Sequence, residues 1–304
     1  MSMENISLLH TEQRNPDTVG FPELSTMEML QKINREDQKI ACAVEKALPA
    51  VAKAVDLIVP RMRKGGRMVY VGAGTSGRLG YMDAAECAPT YGVAYDRVMC
   101  VMAGGKEAVF RPQEALEDKA EAAVADLKAW NLSASDTVVA AAASGRTPYC
   151  IGALDYARSI GAGAVCVVCN PDSEMGKHAE VAIEVDTGCE TIMGSTRMKG
   201  GTAQKMVMNM LSTTVMVKLG RAYDNLMICL TAKNGKISNR IVRLFKEATG
   251  ETDSAKIREW LNAGEGRLEV SIAMYKSGRS REEVEAAFAQ TEDFNRVLRL
   301  LGVQ

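Results

Sequence analysis

Residues 67–92 read RMVYVGAGTSGRLGYMDAAECAPTYG, and the fold turns on how this stretch is parsed. Met68, Val69, Tyr70 and Val71 form a short apolar run that reads as a buried strand. It stops at a glycine-rich turn, Gly72-Ala73-Gly74-Thr75-Ser76-Gly77, and resumes as a helix from about Arg78. A strand that enters such a turn and leaves as a helix can cradle an anion. Glycines admit close approach of the backbone, and unpaired N–H groups at the helix start point at the charge. Thr75 and Ser76 add two hydroxyl donors. Along the helix Leu79, Met82 and Glu86 fall at i, i+3 and i+7, which puts Glu86 on the apolar stripe, with Asp83 on nearly the same face.

Outward from this unit, apolar runs predict strands at 98–102, 137–141, 164–168 and 181–185, with helical patterns near 113–128, 148–160 and 172–179. That alternation predicts an α/β fold, a doubly wound parallel five-stranded sheet with helices on both faces. A long, mostly apolar helix follows from Thr202 to Leu219. On the other side, residues 1–24 read as an arm without independent structure. Ser25 with Glu28 is a capping box opening an N-terminal helix, and a second helix runs from about Ile40 to Met62, broken or kinked near Pro49. After about Gly235, short amphipathic helices end at Gly250, Gly264, Gly278 and Gly302, with a capping box at Ser280 and Glu283. The expected division is an N-terminal arm and helices over 1–54, the sheet domain over 55–234 and a small helical bundle over 235–304.

Composition narrows the chemistry. With 25 % charged residues and a net charge of −1, nothing favours nucleic acid or an anionic membrane as partner. No secretory leader and no bilayer-length apolar run are legible, so the cytoplasm is expected. The eight cysteines read as reduced core thiols, and Cys166-x-x-Cys169 as core packing, since an odd separation on a strand turns the two thiols to opposite faces. Two histidines leave a histidine-rich metal site without ligands, so no metal is expected, and carboxylates, hydroxyls and basic groups must carry any acid–base work.

Gly72-x-Gly74-x-x-Gly77 matches the dinucleotide fingerprint, but the second strand ends Val101-Met102-Ala103-Gly104-Gly105 with no acid for a ribose hydroxyl. A smaller phosphorylated ligand fits better. A second loop supports this: strand 137–141 runs into Ala143-Ser144-Gly145-Arg146-Thr147-Pro148, again hydroxyl-bearing and again opening a helix. Ser144 and Thr147 could instead merely cap that helix. Two such loops at the carboxyl ends of parallel strands converge on one crevice. A third cluster, Gly188-Cys189-Glu190 and Gly194-Ser195-Thr196-Arg197-Met198-Lys199-Gly200-Gly201, gathers cations, hydroxyls and glycines before the long helix. In the helix expected at 113–128, Glu117 sits at the edge of the apolar stripe beside Ala120 and Val124, while Asp118 and Glu121 point away.

Three of these stretches, VYVGAGTSGRLGYMDAAECAPTYG, AAASGRTPY and GSTRMKGGTAQKMVMNMLST, together resemble the N-acetylmuramic acid 6-phosphate etherase family. That family is built on a sugar isomerase (SIS) domain and is related to the glucokinase regulatory protein, which binds sugar phosphate without turning it over. The resemblance implies cleavage of the D-lactyl ether to N-acetylglucosamine 6-phosphate and D-lactate, without metal or redox cofactor, in an enzyme that dimerises. It places the proton donor on Glu86 and the second catalytic glutamate on Glu117. By the same resemblance Ser76, Ser144 and Thr147, with Thr75 and Gly145 of the two loops, should hold the phosphate. Ser195, Thr196 and Arg197 should lie near the sugar, Glu190 on its hydroxyls, and Lys199 is added to that set. Burial on the stripe and the charge of Asp83 are expected to keep Glu86 protonated, and Glu117 to stay ionised as base. Where family members read DASEC followed by two prolines, this chain has DAAECAPTYG. An aldose–ketose isomerase and a non-catalytic sugar-phosphate sensor are the rival readings.

Overall fold

The computed structural model describes residues 6–111, 113–231 and 238–303, so the boundary expected at Gly235 lies outside the described residues. The chain forms two compact units, Met1–Ala85 with Tyr95–Ser212, and Glu86–Ala94 with Thr213–Gln304.

The first unit is a five-stranded parallel sheet of order β2-β1-β3-β4-β5. Its strands are β1 (Met68–Gly72), β2 (Val98–Met102), β3 (Thr137–Ala142), β4 (Gly163–Val168) and β5 (Val181–Glu184). The first four are buried at every position, which is why they read as unbroken apolar runs rather than alternations. Val69, Val71, Val138, Ala140, Cys166 and Val168 form one core with the helices on that face, while Tyr70 and Cys100 look the other way.

The helices of this unit, numbered in chain order, are α1 (Thr26–Arg63), α2 (Gly74–Tyr91), α3 (Glu107–Phe110), α4 (Glu114–Glu117), α5 (Ala120–Ala129), α6 (Pro148–Ser159), α7 (Glu174–His178) and α8 (Lys199–Lys218), with α2 and α8 continuing into the second unit. Three expectations are corrected. The two N-terminal helices are one: α1 runs unbroken through Pro49, because no glycine interrupts it and Glu36, Ile40, Val44, Ala47, Val51, Ala54 and Ile58 keep one buried face throughout. The arm is not without structure: its short 3-10 turns are tied to the sheet's carboxyl end, Thr11 N–H to Asn170 Oδ1 at 3.2 Å and Thr18 Oγ1 to the Thr191 carbonyl at 2.9 Å. The helix expected over 113–128 is split between α4 and α5 at Asp118-Lys119. Close packing fixes that second start: a Cβ on Gly152 of α6 would lie 2.4 Å from the Ala120 carbonyl oxygen.

The second unit holds a two-stranded hairpin, β6 (Ala222–Tyr223) with β7 (Leu226–Met227), and five helices. These are α9 (Asn239–Thr249), α10 (Ser254–Ala263), α11 (Leu268–Ser277), α12 (Arg281–Phe288) and α13 (Phe294–Leu300), packed around Phe245, Leu261, Ile272, Val284 and Phe294. The stops predicted at Gly250 and Gly278 are left-handed C-caps with φ of 77° and 66°, and the Ser280–Glu283 capping box is formed.

Candidate active site

The first loop turns more tightly than its sequence suggests. Helix α2 begins at Gly74, not near Arg78, so Thr75 and Ser76 lie in its first turn, where backbone N–H groups lack intrahelical partners. Gly72 is sterically required, since a Cβ there would lie 2.8 Å from the Gly77 nitrogen. Gly74 takes φ +52°. Ser76 is buried and donates its hydroxyl to Gln204 Oε1 at 2.8 Å, while the Gln204 amide nitrogen, equally buried, has no partner among the described residues.

In the second loop Gly145 takes φ +70°, and a Cβ on it would come within 2.6 Å of Ser173 Cβ. Ser144 Oγ accepts the Arg146 N–H at 3.3 Å. Thr147 occupies the N-cap of α6 without capping it through its side chain, so the bland reading of that hydroxyl fails. The Ala143 carbonyl is held by the Cys169 N–H and by Asn170 Nδ2, each at 3.0 Å, which anchors this loop to the end of β4.

The third cluster meets both loops at the start of α8. A Cβ built on Gly201 would lie 3.5 Å from Thr75 Cγ2, and one on Gly200 would lie 3.5 Å from Ala143 Cβ. Ser195 and Thr196 are half-buried and Arg197 is exposed. Glu190 is fully buried, its oxygens accepting the N–H groups of Lys199 at 3.0 Å and Gly200 at 2.9 Å. Burial pushes its carboxyl up, and those two N–H donors oppose the shift. Lys199 is also inside, its Nζ on Glu36 Oε2 at 2.7 Å and on the Cys189 carbonyl at 2.8 Å.

Glu117, the last residue of α4, is half-buried and lines a cleft of about 180 Å3 together with Gly74, Thr75, Arg78 and Gln113. The stripe argument that singled it out belonged to a helix that is not continuous, yet the residue stands beside the first loop. Arg78, which sequence reasoning passed over, shapes this cleft: its guanidinium donates to the Ala108 and Val109 carbonyls, both at 2.8 Å, pinning the end of α3. An arginine one turn into a helix that follows a glycine loop was the available signal.

Glu86 is corrected. It is exposed, as is Met82 at 47 %, and the inward face of α2 is instead Ser76, Gly77, Gly80, Asp83, Ala84 and Cys87. Small residues occupy that face because the helix lies close on the sheet, a Cβ on Gly80 reaching 3.0 Å from both Tyr70 Cβ and Cys100 Sγ. Hydrophobic size therefore misplaced the stripe. The buried carboxylate is Asp83, which accepts from Tyr70 at 2.7 Å, Asn209 at 2.6 Å and Ser212 at 3.0 Å. Burial raises its pKa and the three donors only partly offset this. Cys166 and Cys169 are buried free thiols, Cys166 pushed up to about 12 by burial.

The parallel sheet whose strand ends carry two hydroxyl-bearing glycine loops is a SIS domain by its match to a family model: residues 50–158 match the glucokinase regulatory protein N-terminal SIS domain family. The chain is 48 % identical over 283 residues to an N-acetylmuramic acid 6-phosphate etherase of Clostridium beijerinckii, covering 93 % of each chain. It is 46 % identical over 292 residues to the enzyme of the same name from Serratia proteamaculans, covering 96 % of this chain and 98 % of that one. Among solved structures, a phosphoheptose isomerase from Francisella tularensis superposes with a TM-score of 0.47 at 12 % identity, over 63 % of this chain and 98 % of that one. The chain belongs to the N-acetylmuramic acid 6-phosphate etherase family.

Proposed function

We propose that this chain is a carbon–oxygen lyase that removes the D-lactyl ether from N-acetylmuramic acid 6-phosphate, giving N-acetylglucosamine 6-phosphate and D-lactate in the recycling of peptidoglycan amino sugars. Beyond the kinship, the supporting observation is the cleft in which Gly74 and Thr75 stand with Glu117, an anion cradle and a carboxylate sharing one space.

An ether at C3 is a poor leaving group, so its oxygen needs a proton as the bond breaks. The open-chain aldehyde at C1 acidifies the proton on C2, which a carboxylate can then take. Elimination releases lactate and leaves an unsaturated aldehyde, to which water adds at C3. In this reading Glu117 removes the C2 proton and Glu86 protonates the departing oxygen. Thr75, Ser76, Ser144, Gly145 and Thr147 grip the phosphate, and Ser195, Thr196 and Arg197 meet the sugar. Glu190, with both oxygens on the start of α8, serves those contacts by fixing the loop between them rather than by offering a free oxygen. The working form is a cytoplasmic homodimer acting on a small sugar phosphate, with no nucleic acid or membrane partner and no cofactor. No helix among the described residues is long and apolar enough to cross a membrane.

The test is incubation with N-acetylmuramic acid 6-phosphate in 18O-labelled water. D-Lactate should appear, with the label in the C3 hydroxyl of the sugar product. Binding without lactate release would overturn the reading, and interconversion of hexose phosphates without lactate would favour the isomerase.

A further inference from the structure

Residues 191–198, which carry Ser195, Thr196 and Arg197, form a loop of the first unit whose two ends are bonded to each other. On one side are Cys189 and Glu190, on the other Lys199 and Gly200. Glu190 spans the base of the loop with its carboxylate on two N–H groups at the start of α8. Lys199 spans it in the opposite sense, its ammonium on the Cys189 carbonyl at 2.8 Å. The same ammonium reaches Glu36 Oε2 at 2.7 Å, and the other Glu36 oxygen accepts Lys39. Glu36 and Lys199 are 3 % and 2 % exposed, whereas Ile192, Met193, Gly194 and Arg197 at the tip are exposed. An exposed loop is thus closed at its base by buried charges, one of them supplied by α1.

We propose that Glu36 is a positioning residue for the etherase reaction: its buried ion pair with Lys199 locks the neck of the 191–198 loop and so sets where Ser195, Thr196 and Arg197 stand against the sugar. The inference rests on the reading above for what that loop meets. Two physical arguments support it. A buried ion pair adds little net stability, because the desolvation of both charges roughly cancels their attraction, so apolar side chains would hold α1 in place as well. What an ion pair adds is direction: the ammonium must point at both an α1 carboxylate and the Cys189 carbonyl, which fixes Cys189 and the start of α8 relative to α1. Burial alone would raise the Glu36 pKa, but the bonds from Lys199 and Lys39 outweigh it and hold the carboxyl below its ordinary range, so the clamp is charged at neutral pH.

The experiment compares Glu36→Gln, Lys199→Met and the double variant in the full chain. It reads thermal stability, the rate of tryptic cleavage after exposed Arg197 by mass spectrometry, and KM against kcat for lactate release. Each single variant strips one buried charge of its counter-charge across the neck, Glu36 keeping only Lys39 and Lys199 only the Cys189 carbonyl, so both should lose stability, and the double should recover it. Cleavage at Arg197 and KM should each rise about tenfold or more in the singles and stay raised in the double, with kcat changed far less. Recovery of all three readouts together in the double would reduce the pair to a fold-stabilising contact and overturn the proposal. So would singles with wild-type cleavage and KM. Absence of lactate from the wild-type chain would instead sink the etherase reading, and the cleavage rates would still report on the clamp.

Discussion

Replacement of Asp83 separates its hydrogen-bonding role from its charge. In Asp83→Ala, two of the three donors have fallback acceptors: Tyr70 OH can give its proton to the Met208 carbonyl at 3.2 Å, and Ser212 Oγ to the Asn209 carbonyl at 3.4 Å. Only the Asn209 amide is stranded, which sets the loss at about 1–3 kcal/mol. Asp83→Asn strands nothing. With the new amide oxygen toward Asn209 and Ser212, its nitrogen donates to the Tyr70 oxygen, whose proton turns to Met208. That variant should stay within about 1 kcal/mol of the parent at neutral pH. The two also differ in pH response. Because burial raises the folded pKa of Asp83, the folded state binds more protons than the unfolded one above about pH 3.9, and this carboxyl's contribution to stability falls as pH climbs toward the raised value. Below both values the penalty vanishes. The stability of Asp83→Asn relative to wild type should therefore increase through that window and then level off. Hydrogen exchange at the Val69–Val71 amides of β1, followed from pH 4 to 7, measures it in the unit concerned. A flat difference, or an Asn variant as damaged as the Ala variant, would refute the assignment.

The two glutamates should separate by isotope exchange. Glu117→Gln should lose both lactate release and exchange of the C2 proton with deuterated water, whereas Glu86→Gln should keep C2 exchange while losing lactate, each by about 10²–10⁴-fold in the affected step. Gly145→Ala meets both a left-handed φ and a 2.6 Å approach to Ser173, so it should cost about 1–3 kcal/mol in thermal unfolding and weaken phosphate-dependent binding. Gln204→Met removes the amide oxygen that accepts from the Ser76 hydroxyl, and should raise KM by about tenfold while Ser76→Ala in the same background adds little, as a double-mutant cycle would show. Gly201→Ala should leave thermal stability unchanged or raise it by about 0.5–1 kcal/mol while raising KM.

The sheet was legible because β1 to β4 are buried at every position and announce themselves as continuous apolar runs; β2, β3, β4 and the partly buried β5 fall where the apolar runs do. The helices were harder, for two different reasons. α1 was divided in two because Asn34 to Lys39 are all polar, yet one of them, Glu36, is buried by an ion pair whose partner lies 163 residues away. α2 was rotated because its inward face is made of Gly77, Gly80 and Ala84, small enough for contact with the sheet and therefore silent on a hydrophobic scale. Glu117 was found by an argument that fails and stands in the cleft all the same.

Glycine shows where sequence and coordinates must be combined. At Gly72 and Gly145 the absence of a side chain is explained by the protein itself, since a Cβ would meet a backbone nitrogen at 2.8 Å or a neighbouring Cβ at 2.6 Å. At Gly200 and Gly201 nothing in the fold demands it: the nearest atoms lie at 3.5 Å, an ordinary contact, and neither residue takes a left-handed φ. A helix start with two glycines sacrifices backbone entropy that alanine would spare. That sacrifice brings no packing, so the absence of side chains at this point, beside Thr75 and Ala143 where three loops meet, follows from neither the local backbone nor its neighbours.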